Sequence, residues 1–133
     1  MEINWYRCLT YNDAKDYSGV IYLHEWNGAP FYWGKADKST FGVRYSSGYR
    51  HWIEGCLQNG GRLYIGQITN KGKHSLDDIE AFLFKKYGGV INEKIREKQP
   101  VKDIKHVGNV PESIERGYPL TSRSTGRAKT ARR

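Results

Sequence analysis

GVIYLHEWNGAPFYWGKAD, residues 19–37, decides the fold. Two β-prone runs, VIYL at 20–23 and FYWG at 31–34, flank the turn WNGAP. Apolar, β-branched and aromatic residues on either side of an Asn-Gly pair signal a hairpin. Asn27 and Gly28 tolerate the positive φ that a tight turn between twisted strands demands. The stretch therefore predicts antiparallel strands over Val20–Glu25 and Pro30–Gly34. A hairpin does not account for the tyrosine on each strand, Tyr22 and Tyr32, or for Lys35 directly after the second.

Working outward, Asp37 to Gly48 is polar and rich in Gly and Ser, and reads as a loop. Tyr49–Gln58 reads as a short helix whose apolar face is Trp52, Ile53, Cys56 and Leu57, ended by Asn59-Gly60-Gly61. Arg62–Thr69 is a third strand. Ser75, with Asp78 three residues on, caps a second helix that runs through Tyr87 to Gly88-Gly89. Glu93–Lys98 can continue as helix before Pro100. Residues 1–17 are mixed; Trp5, Tyr6 and Leu9 can pack, but no element is assigned. The order ββαβα implies an α+β domain, a three-stranded antiparallel sheet flanked by helices. The core spans 18–98, after an N-terminal segment 1–17 and before an extension 99–133. From about Leu120 the extension loses hydrophobic period and is expected to be disordered. No internal repeat is present.

A chain of 133 residues suits one compact domain. No run approaches the roughly 18 apolar residues of a membrane span, and MEINWYRCLTYND lacks a basic-then-apolar leader pattern, so the expected location is the cytoplasm. Cys8 and Cys56 stand at no metal-ligand spacing and read as reduced thiols. The net charge of +8 is unevenly spread. From Arg116 onward lie six of the 22 basic residues and no acid, which leaves 16 bases against 14 acids before it, a net of +2. A nearly balanced domain with a basic end suggests a polyanionic partner, although a solubilising end has the same composition.

The ordered set of Tyr22, Tyr32, Gly34, Arg44, Glu80 and Asn92 resembles the GIY-YIG nuclease family. Val20-Ile21-Tyr22 stands where the first motif stands, and Tyr32-Trp33-Gly34 where the second stands. Gly34-Lys35-Ala36 is similar to the GKA run of the excision-repair incision nuclease. The literal string Tyr64-Ile65-Gly66 is read as a decoy, because it follows the first helix and no partner motif precedes it at hairpin distance. The resemblance covers about residues 18–94. It implies a metal-dependent endonuclease acting on DNA, of restriction, phage or mobile-element type. The products carry 5′-phosphate and 3′-hydroxyl ends. One divalent ion, Mg²⁺ or Mn²⁺, is held by Glu80, and the setting is a bacterial cell or a phage-infected host.

Each residue also has a plainer reading. Glu80 shares a helix face with Leu83, Phe84 and Tyr87, where a carboxylate is costly unless paired with a base or bound to a cation. Tyr22 and Tyr32 on adjacent strands can meet in one pocket, or simply pack with wet hydroxyls. Lys35 near a phenol would lower its pKa, or it is a solvated surface lysine. Arg44 suits a scissile phosphate, although it follows Tyr32 by twelve residues where the family usually has ten; Arg50 is the alternative. Tyr49 is the first choice for the aromatic group one turn beyond the arginine, with Tyr45 and His51 behind it. Asn92 supports the loop or the phosphate. Arg123, Arg127, Lys129, Arg132 and Arg133 of the basic end would grip DNA without reading its sequence, alongside Arg44 and Arg50. One metal ligand per chain implies one cut strand per event, so double-strand cleavage needs a homodimer or two successive nicks. The competing reading is a nucleic-acid-binding protein on an inactive nuclease scaffold. A third is an α+β domain unrelated to nucleic acid.

Overall fold

A computed structural model describes residues 1–45, 49–92 and 94–117. The elements in chain order are β1 (Glu2–Cys8), α1 (Tyr11–Ala14), β2 (Val20–Trp26), β3 (Ala29–Ala36), α2 (Phe41–Arg44), α3 (Tyr49–Gln58), β4 (Gly61–Thr69), α4 (Leu76–Tyr87), β5 (Lys105–Gly108) and α5 (Glu112–Glu115). The class is α+β. The sheet has five strands in the order β3-β2-β4-β1-β5 rather than three. All neighbours are antiparallel except β1 and β5, so the sheet is mixed.

The β2–β3 hairpin turns at Asn27 and Gly28, with φ of 53° and 76°, the left-handed pair that a two-residue turn requires. From Val20↔Ala36 to His24↔Tyr32 the register is regular; it then shifts to Glu25↔Pro30, a bulge that leaves Phe31 as the extra residue. Strand alternation puts Tyr22, His24, Tyr32 and Gly34 on one face, and Ile21, Leu23, Trp33 and Lys35 on the other.

The two strands outside the predicted three have a common cause. β1 alternates buried Ile3 and Trp5 with half-buried Asn4 and exposed Tyr6, and it pairs along its full length with β4, some sixty residues away. β5 is four residues long and pairs only with β1. Neither has a neighbour in sequence to pair with, so no turn signal marks it. The sheet thus runs from the first segment of the chain into the C-terminal extension.

The sheet is covered on both faces. On one, α4 buries Ile79 and Leu83 against Ile21, Leu23 and Trp33. On the other, α1, α2 and α3 bring Tyr11, Phe41 and Ile53 against Tyr22 and Ile65. α4 starts as predicted: Ser75 Oγ accepts from the Asp78 amide at 3.1 Å, and Asp78 Oδ2 accepts from the Ser75 amide at 3.0 Å. α2 occupies part of the predicted loop. Thr40 caps it and Phe41 is buried at its start. α3 has the predicted bounds, but only Ile53 of its apolar face is fully buried. The predicted helix over 93–98 does not form among its described residues. The first-turn acids of α4 capture this segment instead: Asp77 accepts from the Arg96 amide, and Asp78 accepts from the Lys98 and Gln99 amides. Both cysteines are free. Among the described residues no helix is long and apolar enough to cross a membrane.

Candidate functional site

Tyr22 lies in the middle of β2 and is buried. Its ring runs over Gly34, its partner on β3. A Cβ on Gly34 would stand 2.5 Å from the Tyr22 hydroxyl oxygen, so only glycine fits beneath the ring. Tyr32, two pairs along on the same face, is half-buried with its ring 6.4 Å from that of Tyr22. Its pKa is pushed up by burial, then by Tyr22 and Glu80, with Arg44 opposing.

Two residues not singled out as first choices complete this face. His24 is buried beside Tyr22, and its Nε2 pairs with the Tyr45 hydroxyl at 3.2 Å. Burial lowers its pKa to about 4, so the ring is neutral at pH 7. Tyr45 lies edge-on to Tyr22 at 5.6 Å, and burial drives its pKa far up. Tyr49 is 62% exposed and touches the group through Tyr45, at 6.1 Å between rings. Tyr45, weighed second from sequence, is thus the nearer partner of Tyr22. Position 24 carried a signal: two residues after Tyr22 on a strand means the same face.

A polar cavity of about 160 Å³ opens beside the edge of β3. Tyr32, Gly34, Lys35, Arg44, Glu80 and Asn92 line it together with Asp77. Glu80 comes from the middle of α4 and is only 1% exposed. Its pKa rises to about 8, mainly through burial; Lys35 and Arg44 pull it down and Asp77 pushes it up. Glu80 Oε2 is buried and has no hydrogen-bond partner.

Lys35 is not placed on the tyrosine face of the hairpin. It sits on the face opposite Tyr22 and pairs with Asp77 of α4. Tyr32 accordingly rises in pKa with no contribution from Lys35, whose charge bears on Glu80 instead. The reason is strand alternation: Lys35 pairs with Ile21 and points with it toward α4.

Arg44 closes α2 and lines both this cavity and a larger cleft of about 660 Å³. Its pKa is held above the ordinary arginine value, chiefly by the neighbouring Tyr22. Arg50, on α3, instead lies over the Tyr11 ring at 5.4 Å and lines neither space. Asn92 is exposed at the cavity rim, and its Oδ1 accepts from the Lys94 amide at 2.8 Å. Tyr64 of the literal YIG string pairs with Leu23 on the opposite face of the sheet and packs in the α4-side core. Arg123, Arg127, Lys129, Arg132 and Arg133 lie outside the described residues.

The donor set fits a hard divalent ion. Glu80 offers a buried carboxylate with one unpartnered oxygen, while Asp77 is already engaged by Lys35 and the Arg96 amide. No group of three or more His, Cys, Asp or Glu converges among the described residues. Such a site suits an ion that keeps several waters and shares a substrate phosphate, which is the habit of Mg²⁺. No family model, no curated protein and no solved structure matches the chain, so the reading of this site rests on its geometry and its motif residues.

Proposed function

We propose that this chain is a GIY-YIG-type endonuclease, a metal-dependent phosphodiester hydrolase that acts on DNA and leaves 5′-phosphate and 3′-hydroxyl ends. The observation that carries the reading is Glu80. A structural ion pair does not explain it, because the adjacent Lys35 is bonded to Asp77 and Glu80 Oε2 has no partner. An unpaired buried polar atom costs about 1–3 kcal/mol. A site that binds a cation recovers that cost, and this one shares its cavity with a tyrosine, an arginine and an asparagine.

The chain's own groups divide the work. Arg44 binds the scissile phosphate through its rigid fork of donors and offsets the charge that builds in the transition state. Tyr22, fixed by Gly34 beneath its ring and with Arg44 beside it, orients the attacking water through its hydroxyl. Tyr32 flanks the same phosphate. Lys35 and Arg44 keep positive charge at the cavity wall, which favours ionised Glu80, while Asp77 opposes it and holds Lys35 in place. Asn92 shapes the rim. Glu80 would hold the divalent ion, which when bound would supply Lewis-acid stabilisation of the charge that develops on the phosphate. One such core per chain cuts one strand per event; a homodimer or two nicks gives a double-strand break. Restriction, phage and mobile-element roles all suit so compact a domain.

The test is nicking of supercoiled plasmid with and without Mg²⁺. Nicking is expected only with the ion. Glu80→Gln keeps the side chain's size and should lose nicking while retaining DNA binding. Full activity of that variant, or nicking in excess chelator, would overturn the reading.

A further inference from the structure

The larger cleft carries aromatic side chains beyond those given a part in hydrolysis. Tyr22, Tyr32 and Tyr45 form its floor, and Phe31, Tyr49 and Trp52 stand around it. The last three are 51%, 62% and 44% exposed. Large exposed aromatics are ordinary when scattered, but grouped around one cleft they mark a binding surface. Two features of the fold put them there. The bulge in the β2–β3 ladder leaves Phe31 unpaired, and its ring lies 6.4 Å from Trp52. Trp52 in turn packs edge-on to the buried His24 at 5.7 Å. The volume, about 660 Å³, lies within the roughly 300–1,000 Å³ of small-ligand pockets.

The charge on the cleft wall selects the occupant. Arg44 is the one charged residue among its described lining, and the same Arg44 faces the Glu80 cavity. A ligand that fills both needs an anionic group at Arg44 and a flat apolar ring beside it. That is the chemistry of a nucleotide. We propose that the aromatic cleft receives one unstacked nucleobase of the bound strand, so that the substrate class is DNA with an unpaired nucleotide next to the cut phosphate. The inference rests on the reading of Arg44 as the phosphate-binding group. Aromatic platforms accept any base, because every base has a π-face. In an intact duplex the faces are covered by neighbouring pairs, and taking a base out is least costly at bulges, mismatches and single strands.

The experiment measures binding by fluorescence anisotropy at fixed salt, in chelator so that nothing is cut. The probes are a labelled oligothymidine strand, an abasic strand of equal length and charge, and duplexes with and without one bulged nucleotide. The oligothymidine is expected to bind about tenfold more tightly than the abasic strand, the usual effect of one stacking ring. Trp52→Ala and Phe31→Ala should each erase most of that preference, and Trp52→Phe should keep it. If Trp52→Ala fails to fold by circular dichroism, Phe31→Ala and the wild-type comparison still decide. A preference for the bulged over the perfect duplex would add extruded bases to single strands as occupants. Equal binding of base-bearing and abasic strands, or no binding to any strand, would overturn the proposal. So would a dimer that the same substitutions dissociate, since the cleft would then belong to a second copy. Because the preference is read without cleavage, its failure is separable from that of the hydrolase: a chain that nicks plasmid but ignores bases loses only this inference, and one that stacks bases but never nicks loses only the other.

Discussion

In the proposed function, Glu80 would carry opposite demands of folding and of ion binding. In the metal-free chain its pKa is raised from 4.5 to about 8, chiefly by burial. Between those values an unfolded chain has released the proton that the folded chain keeps. The unfolded state then binds fewer protons, so Glu80's contribution to stability falls as pH rises from 4.5 to about 8. Gln at position 80 has no such proton. The melting temperature of Glu80→Gln minus that of the native chain, both in chelator, should therefore increase across this range, and Mg²⁺ should narrow the gap for the native chain alone at the upper end. A difference that does not change with pH would mean that Glu80 titrates like an exposed carboxylate. Gly34 makes a second demand at this scale. An alanine Cβ would collide with the Tyr22 ring, and overpacking of this kind costs about 1–3 kcal/mol. Gly34→Ala should lower the denaturant midpoint by that measure and slow single-turnover cleavage, because Tyr22 must tilt; wild-type rates would detach Tyr22 from the chemistry. The residues quoted from sequence, Tyr22, Tyr32, Gly34, Arg44, Glu80 and Asn92, meet around two adjoining spaces; Tyr22, Tyr32, Gly34 and Glu80 sit on elements with a strong local signal, whereas Arg44 ends a four-residue helix and Asn92 lies beyond α4 on no element. The pairing of Lys35 with Asp77 was not legible in the same way. It depends on which face of β3 meets α4, and spacing from Tyr32 does not report that.

At the scale of elements, legibility followed the range of the signal. α4 has a capping box at its start and paired glycines at its end, and its residues match the prediction. The hairpin announced itself by Asn27-Gly28. α2 was read as loop because four residues hold too little periodicity, although Thr40 is a good cap and Phe41 is wholly buried. That short helix places the two arginines in different surroundings. Arg44 ends α2 and reaches Tyr22, while Arg50 begins α3 and covers Tyr11. Twelve residues after Tyr32, Arg44 lines the same cavity as Tyr32. Arg44→Ala should slow cleavage by about two to three orders of magnitude, as removal of a transition-state donor does. Arg50→Ala should change the rate less than threefold and act mainly on stability, through the lost contact with Tyr11, worth about 0.5–1 kcal/mol at an exposed site. Single-turnover kinetics and urea melts of both variants check this, and the reverse ranking of rates would move the phosphate to α3.

For the whole molecule, the question is whether a nearly neutral domain and a basic end would share the proposed binding of DNA. β1 and β5 tie both ends of the described chain into the sheet, and their non-local pairing is why sequence reading left 1–17 unassigned and began an extension at 99. The extension is structural at least through α5. Ile114 is buried, the Ser113 amide donates to Glu25 at 2.8 Å, and Arg116 pairs with Glu112 at 2.6 Å. A cut after Glu115 would remove Arg116 from that pair, so the informative cut follows Gly117. It removes residues 118–133, with five basic side chains and no acidic one. The described sheet and helices lose none of their own residues, so the shortened chain should keep its circular dichroism spectrum. If the five bases contact phosphates, each one lost lowers the slope of log affinity against log salt by about 0.9 on duplex DNA. The shortened chain should therefore bind non-specific duplex more weakly at low salt and converge with the full chain as salt rises. Cleavage should persist at low salt, since Tyr22, Arg44 and Glu80 remain. A salt titration of both chains measures the two slopes. Equal slopes would make the basic end a solubilising segment and leave Arg44 and the cleft as the domain's grip on nucleic acid.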